Sequence, residues 1–217
     1  MPTSVLKDTF FKIPKKKQDH ILKCALKEFA KRGLSGTNIL DVAKRAKISV
    51  GSLYTYVDSK EELYVAVAEN LVTQMIDEMD QLKIKDSFMD NVCMLFEAVN
   101  DSGRNKSDAM RFYFDMMTEM VTPKIKDATL RLEAAKREKY IMIIDQAIEN
   151  QEVAETVERD LLAFMLDGYL QTFQLALTTT HYRNKTKVYF GTNQPEELGR
   201  KMCDYFELSF AKTATAE

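Results

Sequence analysis

The 217 residues contain no tryptophan, four prolines and seven glycines. So few chain breakers, together with a scarcity of β-branched runs, argue against a strand-rich fold with many turns. Histidine occurs only as His20 and His181. Ser-His or Cys-His machinery therefore has almost no candidates. No ExxH, HExxH or CxxC pairing occurs, which leaves helical di-metal and zinc sites unsupported. A Gly-rich phosphate loop is missing too. The three cysteines, Cys24, Cys93 and Cys203, are far apart in sequence. An odd count without pattern is expected to mean reduced, buried thiols in a cytoplasmic protein. The first eleven residues lack the apolar core of a signal peptide. The most apolar window, 161–177, carries Asp167, Gln171 and Gln174 and is short for a membrane span. The expectation is a protein without catalysis, cofactor, metal or membrane anchor.

The chain is rich in Leu, Met, Ala, Lys and Glu, which favours long helices. Net charge is −2, unevenly placed. Residues 1–63 carry 13 basic and 7 acidic side chains, whereas 64–217 carry 18 and 26. A basic first third ahead of an acidic remainder is the asymmetry of a nucleic-acid-binding head on a non-binding body; chance clustering of solvated lysines gives the same count.

The organising stretch is 37–63, TNILDVAKRAKISVGSLYTYVDSKEEL. Val42, Ala43 and Ala46 give its first helix an apolar face. Asn38 suits an N-cap, with Asp41 three residues on as its partner. Lys47-Ile48-Ser49 makes a turn, and a short second helix covers about 50–56. Ser59 then caps the next helix, with Glu62 completing a capping box. Two helices joined by a tight turn follow the helix-turn-helix plan, whose second helix enters the DNA major groove.

Thr37, Val42-Ala43, Ala46, Ile48-Ser49, Gly51, Leu53-Tyr54, Tyr56-Val57, Ser59-Lys60 and Leu63 also resemble, at fixed spacing, the DNA-binding signature of the TetR family of bacterial transcriptional regulators. Ile21, Ala25, Phe29 and Gly33 resemble that family's first helix and its glycine stop. The resemblance covers about residues 18–64 and implies a homodimeric repressor that a small molecule releases from a palindromic operator. It also implies phosphate contacts from Tyr54, Tyr56 and Lys60, although Tyr54 could equally be core. Asn38 stands where the family often has Thr or Ser.

Taken in order, 1–13 reads as a mobile arm. Pro14 sits near a helix start, and Lys15-Lys16-Lys17 in the first turn oppose the helix dipole, which suits a compensating phosphate or plain solvent screening. Helix 15–32 is expected to end at Gly33 as an αL cap, with Leu34 making the apolar contact. Further helices are expected over 60–82, 87–100 and 107–121, with Asp101-Ser102-Gly103 as a turn. Thr122 caps and Pro123 opens a helix to about 150. The next covers 155–179. An irregular basic segment at 180–193 contains KVYF, a candidate brief strand. A last helix covers 195–212, and the tail 213–217 frays. The fold is all-α with about nine helices: residues 1–63 as a three-helix helix-turn-helix head, and 64–217 as a helical body for ligand binding and dimerisation.

In the head, Val50, Gly51 and Ser52 should face base edges. Thr37 and Asn38 can aim side chains or N–H groups at a phosphate. In the body, Met110, Phe114 and Met117, together with Phe96, Met142, Met165, Tyr169 and Phe173, could line a cavity for a greasy or aromatic compound; ordinary core packing is the plainer alternative. One of Asp115, Glu119 or Asp167, if buried there, would favour a cationic ligand. Leu161, Leu170, Leu198, Met202, Tyr205 and Phe206 are expected at a dimer interface. Partners are thus double-stranded operator DNA, a small-molecule effector and a second copy. The rival readings are a ligand-independent DNA-binding dimer whose packed body serves as scaffold or protein docking surface, and, far behind, a helical-bundle enzyme.

Overall fold

The computed structural model of the chain describes residues 5–119, 122–191 and 194–210. Among them every regular element is helical: α1 Asp8–Phe11, α2 Lys15–Gly36, α3 Ile39–Ala46, α4 Val50–Tyr54, α5 Lys60–Gln81, α6 Phe88–Asn105, α7 Ser107–Glu119, α8 Pro123–Glu149, α9 Arg159–Thr178, α10 Thr180–Phe190 and α11 Pro195–Phe210. Met120, Val121 and the tail 213–217 lie outside the described residues, as do the side chains of Glu119, Ser209 and Phe210.

Among the described residues eleven helices stand where about nine were expected, and both additions fall in segments read as irregular. The arm is not loose over its described part. Phe10 of α1 is buried, with its ring edge-on to Tyr56 at 5.7 Å, and the Lys7 N–H donates to the Tyr56 carbonyl at 2.9 Å. The basic segment after α9 is a helix, not a strand. The Thr179 hydroxyl accepts from the Tyr182 N–H at 3.3 Å, and Gly191 ends the helix in the left-handed region at φ 70°. A cap and a glycine stop outweigh the β-preference of Val188, Tyr189 and Phe190.

Three boundaries differ from expectation. Gly33 has φ 66° and ψ 178°, a break inside α2 rather than an αL stop, and the helix resumes to Gly36. Asp101-Ser102-Gly103 is not a turn, because α6 continues to Asn105. Gly103 is there for close packing: a Cβ on it would lie 2.7 Å from Cδ1 of Leu177. Helix α9 starts at Arg159 rather than 155, where the Glu158 carboxylate accepts from the Leu161 N–H at 2.5 Å.

The chain packs as two compact units. The first runs through Ile76 and adds Asp108–Leu132; the second is Asp77–Ser107 with the chain from Glu133 on. Packing therefore does not divide at 63/64. Leu63 and Tyr64 to Ala68 of α5 are buried in the same core as α2 to α4. Phe112 of α7 joins them, its ring 4.8 Å from Tyr64, which in turn lies 5.0 Å from Phe29. The Tyr64 hydroxyl donates to Asp115 at 3.2 Å. Edge-on and tilted aromatic pairs of this kind contribute about 0.5–1.5 kcal/mol each beyond burial. The second unit has its own core, including Phe88, Val92 and Phe96 of α6, Ile143 and Ile144 of α8, Leu166, Leu170 and Phe173 of α9, and Leu198 and Phe206 of α11.

The cysteines correct a further expectation. Cys93 of α6 and Cys203 of α11 form a disulfide, with Cα atoms 6.1 Å apart, and only Cys24 is a free buried thiol. A bond spanning 110 residues leaves no local signature in the sequence.

Candidate nucleic-acid interface

The helix pair α3–α4 is built by caps. The Asn38 Oδ1 accepts from the Leu40 N–H at 2.9 Å. Its expected partner Asp41 instead pairs with Arg32. Lys47 ends α3 in the left-handed region at φ 56°, and the Ile48 N–H donates to the Ala43 carbonyl at 3.0 Å. Ser49 opens α4: its Oγ accepts from the Ser52 N–H at 3.0 Å and lies 2.8 Å from the Ser52 hydroxyl. Leu53 and Val57 are fully buried and pin α4 to the core. Ser59 then accepts from the Glu62 N–H at 3.1 Å, while the Glu62 carboxylate reaches back to the Asp58 N–H at 3.0 Å. The capping box forms, one residue wider than expected.

This scaffold leaves one edge of α4 outward. Gly51 and Tyr54 are exposed, Val50 and Ser52 are half-buried, and α4 ends at Tyr54 rather than 56. A Cβ at Gly51 would meet only Ser49 Oγ, at 3.9 Å, which is ordinary contact. Nothing within the described protein requires glycine there, so helix–helix packing does not account for it. Asn38, the N-cap of α3, is exposed as well.

Of the residues expected at the phosphates, Thr37 and Tyr56 are buried and half-buried Lys60 is engaged with backbone carbonyls. The Thr37 side chain is buried, its hydroxyl donating to the Gly33 carbonyl at 2.6 Å and to that of Glu28 at 3.2 Å. Tyr56 is buried against Phe10, whereas Tyr54, the one with a core alternative, is 42% exposed. The Lys60 ammonium donates to the carbonyls of Thr37 and Ser35. Through these contacts Thr37, Tyr56 and Lys60 hold the loop and helix ends in place.

Other residues of the face carry no motif signal. Leu40 is 58% exposed, and Lys44 and Lys47 are exposed on and just after α3. Lys7 donates to the Tyr54 carbonyl at 3.0 Å and pairs with Asp58, tying the arm to the end of α4. Beneath the face, Glu28 is buried and its Oε1 accepts from Arg45 Nε at 2.5 Å. That hydrogen bond raises the Arg45 pKa. With Arg32 on Asp41, it fixes α3 against α2 through two ion pairs.

The second unit does not gather the expected pocket. Met110, Phe114 and Met117 belong to the first unit, and Met110 is buried in its core. Met142 and Met165 of the second unit are exposed, at 51% and 39%. Phe96 and Phe173 do meet, with rings 5.5 Å apart, on a cavity of about 300 Å³ between α6, α9 and α11. Tyr169 packs edge-on to Phe206 instead. Asp167 is engaged by Lys136 at 2.9 Å, and Asp115 by Tyr64. Of the expected dimer residues, Leu170, Leu198 and Phe206 are buried in the unit's own core and Met202 is half-buried. Leu161 and Tyr205 are exposed, joined by Phe164 and Leu208. No described helix is long and apolar enough to cross a membrane, and no described group of His, Cys, Asp and Glu is placed to hold a metal ion.

Residues 21–67 match the family of bacterial regulatory proteins called tetR. The regulator IcaR of Staphylococcus epidermidis, described as a negative transcriptional regulator of the biofilm operon icaADBC, is 37% identical over 60 residues, covering 28% of this chain and 32% of that protein. The chain thus spans about a third of the length of such curated relatives. A TetR transcription regulator from Haloarcula marismortui superimposes with a TM-score of 0.71 at 12% identity, over 92% of this chain and all of that one. The SmeT–triclosan complex does so with a TM-score of 0.68 at 14% identity, over 92% and 94%. At such low identity these structures establish a shared fold. Residues 21–67 thus match the tetR family of bacterial regulatory proteins, and the all-helical chain that carries them shares the fold of TetR-family structures.

Proposed function

We propose that the chain is a sequence-specific DNA-binding transcriptional regulator, working as a homodimeric repressor that a small apolar ligand releases. The observation that carries the DNA-binding part is the outward edge of α4, where Gly51 is bare, Val50 and Ser52 flank it, and no internal contact requires the glycine. A missing side chain on a recognition helix lets the backbone come close to DNA. Val50 offers apolar contact to a thymine methyl, Ser52 a hydroxyl, and Asn38 and Tyr54 polar groups for phosphate. The basic balance of the first 63 residues supplies the sequence-independent attraction.

The ligand part rests on the cavity of about 300 Å³ beside Phe96 and Phe173, at the lower end of small-molecule sites. An open hollow favours a ligand-responsive body over a closed scaffold. The name of the SmeT–triclosan complex, an aromatic compound on the same fold, is in keeping with this. A ligand acts only by binding one state of the body more tightly than the other. Helices α5 and α8 each contribute residues to both units and are continuous covalent routes for such a shift. Repression is in keeping with the description of IcaR as a negative regulator.

Selection of duplexes from a random pool by the purified protein tests the reading. A palindromic consensus with half-sites about 34–36 Å apart is expected. Recovery of no consensus, with affinity governed by salt alone, would leave only non-specific binding.

A further inference from the structure

Cys93 and Cys203 converge on a cavity that can admit a reagent. Both line the hollow of about 300 Å³ in the second unit, with Phe96 and Phe173 as apolar walls. Three helices border it, and α11 comes very near α9: a Cβ on Gly199 would lie 2.8 Å from the Phe173 ring. Cys24 is different. It is buried in the core of the first unit, and burial pushes its thiol pKa up, which keeps it protonated and slow to react.

A protein that reads chromosomal DNA works where thiols are kept reduced. A disulfide found there is usually transient, catalytic or redox-sensing rather than a permanent staple. This step rests on the DNA-binding function proposed above. We propose that Cys93 and Cys203 are a reversible dithiol–disulfide pair, reduced at rest and oxidised by small uncharged organic hydroperoxides that enter the cavity.

The chemistry balances. One cysteine, as its thiolate, attacks the terminal oxygen of the hydroperoxide. The O–O bond breaks, the sulfur becomes a sulfenic acid, and the departing alkoxide takes a proton to leave as an alcohol. The second thiolate attacks the sulfenic sulfur and displaces hydroxide, which takes a proton to leave as water. Two thiols and one hydroperoxide give one disulfide, one alcohol and one water. An external dithiol reverses the change by exchange and is itself left as a disulfide. The walls select the oxidant. Phe96 and Phe173 favour an organic group, while Glu97 and Asp204 outnumber Arg200 and disfavour an anionic reagent. Oxidation clips α11 to α6. Because α11 also exposes Tyr205 and Leu208, the bond changes how firmly that face is held.

The full chain, reduced with dithiothreitol and freed of it, is treated with cumene hydroperoxide, and its thiols are alkylated after unfolding. Three alkylated cysteines are expected before oxidant and one after, with the Cys93–Cys203 bond found by peptide mapping and its loss on adding dithiothreitol to the folded protein. The oxidised form should unfold at a higher temperature, since the bond closes a long loop. Three alkylatable thiols after peroxide, or a bond that resists dithiothreitol in the folded state, overturns the proposal. Neither readout depends on substitutions that might not fold. Binding to the selected duplex separates the two readings: an affinity difference of about tenfold or more between the forms is expected. Equal affinity overturns the sensing role. If the bond cycles as described but neither form selects DNA, the cysteine pair stands and the regulator reading falls.

Discussion

The Lys60 ammonium donates to the Thr37 carbonyl at 3.1 Å and to the Ser35 carbonyl at 3.4 Å, so the first residue of α5 holds the connection between α2 and α3. Backbone carbonyls at the end of a helix lack intrahelical partners, and a cation there is stabilising. Lys60→Ala should therefore lower the unfolding midpoint and weaken operator binding by loosening the start of α3. The dependence of affinity on salt should keep its slope. A slope reduced by about 1 would instead identify a phosphate contact.

Gly51 separates stability from recognition. In a helix glycine costs about 1 kcal/mol relative to alanine, and a Cβ at this position meets nothing closer than 3.9 Å. Gly51→Ala should stabilise the free protein by up to about 1 kcal/mol and at the same time weaken operator binding. Thermal unfolding and a binding isotherm on the same sample check the opposite signs. Unchanged affinity would mean that DNA does not approach this backbone.

Gly103 shows the same residue type used for an internal contact. Its Cβ would lie 2.7 Å from Cδ1 and 2.9 Å from Cβ of Leu177. Gly103→Ala gains about 1 kcal/mol of helix propensity but forces α6 off Leu177, and overpacking typically costs about 1–3 kcal/mol. A net loss of stability is expected, relieved by the companion change Leu177→Ala. Chemical denaturation of the single and double variants measures the coupling. Additive effects would show that the two positions do not press on each other.

These residues also show what could be read in the sequence. The caps at Asn38, Ser59 and Thr122 are local, and each was legible from a side chain and the residues just after it, whereas Ser49, read only as part of a turn, also caps α4. The inward row Ile21, Ala25 and Phe29 was legible from helical spacing. Gly103 was misleading because Asp-Ser-Gly is good turn chemistry, and only Leu177, far along the chain, reveals the packing reason. The arm was missed for the same cause: Phe10 is ordered by Tyr56, and no nearby pattern announces it. Tyr56 rather than Tyr54 meets the core, since two tyrosines two residues apart are equivalent until the helix end fixes which ring turns inward. The disulfide and the divided set of pocket residues depend on tertiary proximity alone.

Burial redraws the face proposed for a dimer. Phe206 is buried between Phe88 and Tyr169, with ring centroids 6.0 and 5.7 Å away, and Phe173 is equally buried. Charging Phe206 would place an unpaired carboxylate in the core and should unfold the second unit, at a cost above about 4 kcal/mol. It would say nothing about assembly. Phe164, 76% exposed on α9, is the informative position, with Leu161 one turn earlier and Tyr205 and Leu208 exposed on α11. Single exposed apolar residues are ordinary, but large ones repeated on two neighbouring helices mark a contact surface. An obligate homodimer typically buries about 2,000 Å² or more in total, and a palindromic operator requires two heads. Phe164→Glu should therefore leave helicity and the unfolding transition cooperative, convert the protein to a monomer in sedimentation, and weaken operator binding. Leu130→Glu, an exposed site in the first unit, serves as the control and should leave the assembly intact. A wild-type protein that sediments as a monomer at micromolar concentration, or a Phe164→Glu variant that stays dimeric, would remove α9 and α11 from the interface.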